Sequence, residues 1–124
     1  QHVLEPLSGY MMLCEKMWDQ PLKFSEGWNF GPEARNVGTV QEVTERVTEY
    51  WGDNASWEKS DDNNIHEAKL LQLDITKVKE QLGWKPKWDL NKSLSKTVSW
   101  YKSFYSGKDI DEISLNQIKE YSEN

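Results

Sequence analysis

Cysteine, arginine and long apolar runs are what this sequence mostly goes without. A single cysteine, Cys14, permits no internal disulfide, so no covalent staple is available and a reducing compartment is the expected setting. Arg35 and Arg46 are the only arginines, and 15 basic against 21 acidic residues leave a formal net charge of −6. That balance argues against nonspecific binding to a nucleic-acid backbone, which needs clustered positive charge, while two or three local donors can still hold a diphosphate. The longest apolar run, residues 10–14, cannot span a bilayer, and no basic-then-apolar leader opens the chain. A cytoplasmic protein with no membrane partner is expected.

Chemical motifs are equally sparse. A structural zinc site needs about four Cys or His ligands, whereas Cys14, His2 and His66 are scattered, so no metal is expected. The nearest approach to a dinucleotide fingerprint, Gly27-Trp28-Asn29-Phe30-Gly31, lacks the glycine spacing that exposes backbone N–H groups to a pyrophosphate. There is no Walker loop, and no histidine accompanies a serine or cysteine at a nucleophile elbow. No residue is therefore nominated as catalytic or cofactor-binding, and the residues alone do not describe a self-sufficient enzyme.

What is present suits one globular domain over residues 1–124. The composition, 36% apolar and 29% charged, is that of a folded chain and not a disordered one. Seven tryptophans bring a large apolar area for this length, to be buried in a core, a cleft or against a neighbour. The chain runs from Gln1 straight into patterned sequence with no initiating Met, which reads as a piece of a longer protein.

Periodicity predicts mostly helix. Residues 6–19 carry Leu7, Tyr10, Met11, Cys14, Met17 and Trp18 on one expected core face, with Gly9 marking a close approach of another backbone. Residues 24–30 read as a short strand closed by Gly31-Pro32. Thr39 and Glu42 form a capping box for a helix carrying Val40, Val43, Val47, Tyr50 and Trp51, ended by Gly52. A second short strand is expected at 55–59, a polar loop at 60–64 and an extended segment at 67–73. Asp74 and Asp89 are expected caps of two further helices that stop at Gly83 and Gly107. Ser114 and Gln117 propose a last helix packing Leu115, Ile118 and Tyr121. Too few strands are visible for a complete doubly wound sheet.

Four stretches resemble one family. They are residues 1–10 (Gln-His-Val-Leu-Glu-Pro-Leu-Ser-Gly-Tyr), 28–32 (Trp-Asn-Phe-Gly-Pro), 66–71 (His-Glu-Ala-Lys-Leu-Leu, then Leu73-Asp74), and 82–90 (Leu-Gly-Trp-Lys-Pro-Lys-Trp-Asp-Leu, then residues 97–101). The last has cousins across the extended short-chain dehydrogenase/reductases that act on nucleotide sugars; the first and third are similar to CDP-glucose 4,6-dehydratases in particular. The resemblance implies an α/β parent, or α+β as an isolated piece: a mostly helical carboxyl-terminal substrate-binding domain with a few short strands, its Rossmann domain absent. It implies a homo-oligomeric lyase that converts CDP-glucose to CDP-4-keto-6-deoxyglucose for deoxysugar-containing polysaccharides, with NAD bound by the missing amino-terminal domain. The family's Tyr-x-x-x-Lys pair is not matched, since no tyrosine here has a lysine four residues later. The piece alone is expected to be inactive. A related epimerase or dehydratase for another nucleotide sugar, or a helical interaction module, are the competing readings.

Candidate substrate-binding residues follow. His66 and Glu67 come after a polar loop in which Asn63 and Asn64 can both donate to and accept from a base edge or sugar hydroxyl. Arg35, after Gly31-Pro32, offers a guanidinium fork for a diphosphate; Arg46 reads as a surface or ion-pair residue. Gln1 and His2 sit where the family's chain enters the substrate domain, and His2 reads either as a donor to a phosphate or ribose or as a structural hydrogen bond. Trp84 and Trp88 read as core in preference to stacking on cytosine.

Overall fold

Local chemistry at helix ends sets several of the boundaries. The computed structural model describes residues 1–59 and 72–123. Its helices are α1 (Leu4–Asp19), the single turn α2 (Pro21–Phe24), α3 (Val40–Trp51), α4 (Leu90–Tyr105) and α5 (Ile110–Glu123), with a 3₁₀ turn at Ala34–Asn36 and a π-helical turn at Val78–Leu82. The expected capping box is present: Thr39 Oγ1 accepts from the Glu42 amide at 3.2 Å, and Glu42 Oε2 accepts from the Thr39 amide at 2.7 Å. Asp74 accepts from the Thr76 amide and Asp89 from the Lys92 amide, each at 2.8 Å. Gly83 follows the π turn in the left-handed region, φ +76°, where a side chain would be strained.

Three expectations are corrected. Among the described residues there is no strand, so the α/β or α+β class with a few short strands gives way to an all-helical fold. The aromatic stretch at 24–30 starts as a helical turn through Phe24 and continues as irregular chain without a ladder partner. Side chains take the ladder's place: Gln1 donates to the Phe30 carbonyl at 3.0 Å and Trp28 Nε1 to the Phe24 carbonyl at 3.0 Å. Residues 55–59 are irregular and exposed, outside any sheet. Secondly, α5 begins at Ile110 and not near Ser114, because Asp109 Oδ1 accepts from the amides of Asp111 and Glu112 and so caps the helix five residues earlier. Of its expected packing residues Tyr121 is buried, while Leu115 and Ile118 are exposed.

The third correction concerns α1. Its expected core stripe is largely outward: Leu7, Tyr10, Met11, Cys14 and Trp18 are exposed, with Trp18 at 89%. The opposite side packs instead, through Glu5, Gly9, Met12, Leu13 and the half-buried Met17. These apolar side chains meet Phe24, Phe30, Ile75, Val78, Leu82 and Trp84 in one cluster. Gly9 is the reason Phe30 fits, since a Cβ there would lie 2.2 Å from Phe30 Cδ1. α4 packs against both α3 and α5, placing the second half of the chain beside the first cluster.

Candidate functional site

The first turn of α1 delivers a carboxylate into the interior. Glu5 is fully buried, and its Oε1 accepts from the Trp88 amide at 2.7 Å and the Lys87 amide at 3.1 Å. Oε2 accepts from the Tyr121 hydroxyl at 2.7 Å and also from the Lys87 amide at 3.0 Å. Two consecutive backbone N–H groups thus fork onto one carboxylate, which is how a buried anion is held without a cation. Ser8, one turn on, contacts the Tyr121 hydroxyl and accepts from Trp84 Nε1, both at 3.0 Å. Lys87 Nζ donates to the Tyr121 carbonyl at 3.0 Å and lies over the Tyr121 ring. Burial, above all, raises the Tyr121 hydroxyl beyond its usual range, so it stays a donor to Glu5.

His2 lies against this hub. It is buried, its ring centroid 4.9 Å from that of Trp88, and its Nδ1 accepts from the Leu4 amide at 3.3 Å. Burial pushes the imidazole below its usual value; the Glu5 carboxylate opposes this, as does a hydrogen bond with Gln117. Trp84 and Trp88 are both buried, as core residues are. Sequence reading missed Glu5 as a hub. The available signal was a carboxylate on the same helical face as Ser8, Gly9 and Met12, a position that must be matched by donors from elsewhere.

Two concavities contain residues nominated from the sequence. A cleft of about 480 Å³ is lined by Gln1, His2, Thr97, Trp100, Ser114 and Gln117, among others. Its polar groups are partly engaged with one another: Trp100 Nε1 donates to Ser114 Oγ at 3.0 Å, and the Gln117 amide to the Lys96 carbonyl at 2.9 Å. A smaller pocket of about 180 Å³ brings Arg35 and Arg46 together with Asn36 and Asn91. Arg46 Nη1 donates to Asn91 Oδ1, which ties its guanidinium to α4. Glu42 and Asp89 also line this pocket, but each carboxylate is engaged in capping a helix. Gln1, Asn36, Trp88 and Ser93 also line a further small gap, and the buried Trp88 Nε1 and Ser93 Oγ have no hydrogen-bond partner among the described residues.

The structure therefore brings Gln1 and His2 into one cleft and sets Arg35, exposed on its 3₁₀ turn, in a neighbouring pocket. That Arg46 shares this pocket was not legible, because the two arginines meet only through the packing of α3 on α4. Asn63, Asn64, His66 and Glu67 lie outside the described residues. No group of three or more His, Cys, Asp or Glu side chains is placed to hold a metal among the described residues. Gly27 and Gly31 stand in irregular chain and not between a strand and a helix, so they do not form a dinucleotide cradle. No described helix is long and apolar enough to cross a membrane.

These features define a helical module with an aromatic cleft, an arginine-lined pocket and a buried carboxylate hub. Over 121 residues, 98% of its length, it is 43% identical to the CDP-glucose 4,6-dehydratase of Salmonella typhimurium, matching the carboxyl-terminal part of that enzyme. The chain spans about a third of that relative, 34% of its length. No protein-family model matches the chain.

Proposed function

We propose that this chain is the carboxyl-terminal, nucleotide-sugar-binding part of a cytoplasmic, homo-oligomeric CDP-glucose 4,6-dehydratase. The observation that carries the reading is the 43% identity maintained across 98% of the chain to an enzyme of that activity. In such an enzyme the sugar's C4 hydroxyl becomes a ketone, the C6 hydroxyl leaves as water with a C5 proton, and the hydride taken from C4 is returned to C6. NAD, as the hydride carrier, is assigned to the amino-terminal portion, and this chain contributes substrate contacts and no hydride chemistry.

Arg35, with Arg46 beside it, supplies forked donors for the diphosphate at the smaller pocket. Gln1 and His2 shape the adjoining cleft, with His2 neutral and engaged in positioning. The amides of Asn63 and Asn64 and the side chains of His66 and Glu67 are assigned to the base and sugar on the resemblance alone.

The test uses the enzyme that includes its amino-terminal portion. Incubated with CDP-glucose, it converts the nucleotide sugar to a product lighter by one water and bearing a ketone. The Arg35→Ala variant raises KM about 10- to 100-fold, the loss of one charge-assisted hydrogen-bonded fork. Turnover of another nucleotide sugar with none of CDP-glucose would sink the substrate assignment. An unchanged KM would remove Arg35 from the site.

A further inference from the structure

Helix α1 is apolar on two opposite faces, and only one of them is covered. Val3, Leu7, Met11, Cys14 and Trp18 recur at intervals of three and four over about 80° of the helix circumference, a stripe nearly as wide as those that face protein cores. No charged residue interrupts the stripe. Met11 is 68% exposed and Trp18 89%, although the far side of the same helix is packed into the main cluster. A helix with apolar residues on both sides belongs inside a larger body, and Met and Trp free of Lys and Glu are what the centre of an interface contains.

We infer that this face of α1 is the seat of the enzyme's amino-terminal portion, which packs on Leu7, Met11, Cys14 and Trp18. The inference rests on the reading above, that the chain is one part of a longer dehydratase. The relative is about three times as long as the matched segment, which accounts for 34% of it, so on that reading a large further body is available to cover the stripe. The opposite face is already taken: Gly9 admits Phe30 too closely for another element to enter there. The seat therefore lies across α1 from the Glu5 hub, and α1 forms a shared wall between the two parts of the enzyme.

Cys14, in the middle of the stripe, reports on the seat directly. The enzyme with its amino-terminal portion is treated with a maleimide, and labelling is followed on the Cys14 peptide by mass spectrometry. A thiol introduced by Lys16→Cys, on the same helix but off the stripe, is the exposed reference. Cys14 is expected to label about a hundredfold more slowly than that reference, as befits a group reached only by opening of the interface. Met11→Asp is expected to bring the two rates together. Equal rates in the unmodified enzyme overturn the proposal, and so does protection that disappears on dilution to the monomer, which would give the face to a second copy. Turnover of CDP-glucose measured on the same sample separates the two readings. Protection in an enzyme inactive on CDP-glucose refutes the substrate assignment and leaves the seat standing; free labelling in an active enzyme refutes the seat alone.

Discussion

Replacing Glu5 with alanine strands three groups at once: the amides of Lys87 and Trp88 and the hydroxyl of Tyr121 all donate to its carboxylate. Each buried donor left without an acceptor costs about 1–3 kcal/mol, and water entering the vacated space recovers part of this. The expected loss is about 3–5 kcal/mol, the range for removing one partner of a buried ionic arrangement. Against a total stability of about 5–15 kcal/mol this is a large fraction. With a urea slope of about 2 kcal/mol per molar, the unfolding midpoint falls by roughly 2 M. Glu5→Gln preserves the shape and keeps one oxygen for the two backbone amides. Its new NH₂ faces the Tyr121 hydroxyl, which can turn to accept from it while donating to Ser8, so the expected cost is about 1–2 kcal/mol. Urea unfolding followed by tryptophan fluorescence reads both variants, since Trp84 and Trp88 border the hub. Should Glu5→Ala lie within about 1 kcal/mol of the parent, or Gln cost as much as Ala, the carboxylate would not be the organising group described here.

Two further outcomes are expected. Gly9→Ala forces Phe30 aside, because the new methyl would fall 2.2 Å from the ring; the cost should be about 1–3 kcal/mol, visible as a lower Tm, and an unchanged Tm would contradict the close approach. His2 has a folded-state pKa lowered chiefly by burial, so the unfolded chain binds its proton more readily. Its contribution is fully present above the unfolded value of about 6.5 and is lost as pH falls below it. Tm should decline from about pH 7 to about pH 5 in the parent and less steeply in His2→Phe, before the carboxylates titrate; parallel profiles would show that burial does not perturb His2.

Helix ends were legible because their chemistry is local. Thr39 with Glu42, Asp74, Asp89 and Gly83 each act within a few residues of themselves, and each does in the fold what its spacing predicts. The same reading overlooked Asp109, whose cap competes with the weaker Ser114 signal. The aromatic run at 24–30 has strand-like composition, but a strand exists only with a partner, and no periodicity reveals whether the chain supplies one. The candidate diphosphate pocket was half visible: Arg35 stood out as a scarce arginine after a turn, whereas Arg46 joined it only when α3 settled on α4. Sequence by itself determined where α3 and α4 begin, that Trp84 and Trp88 are core, and the kinship of the whole chain with a nucleotide-sugar dehydratase. Tertiary structure alone decided which side of α1 is inside, because both sides are apolar and only the position of Phe30 against Gly9 breaks the tie. It also made Glu5 the centre of the fold, since its donors come from residues 82 to 116 positions away, a distance over which no local rule operates.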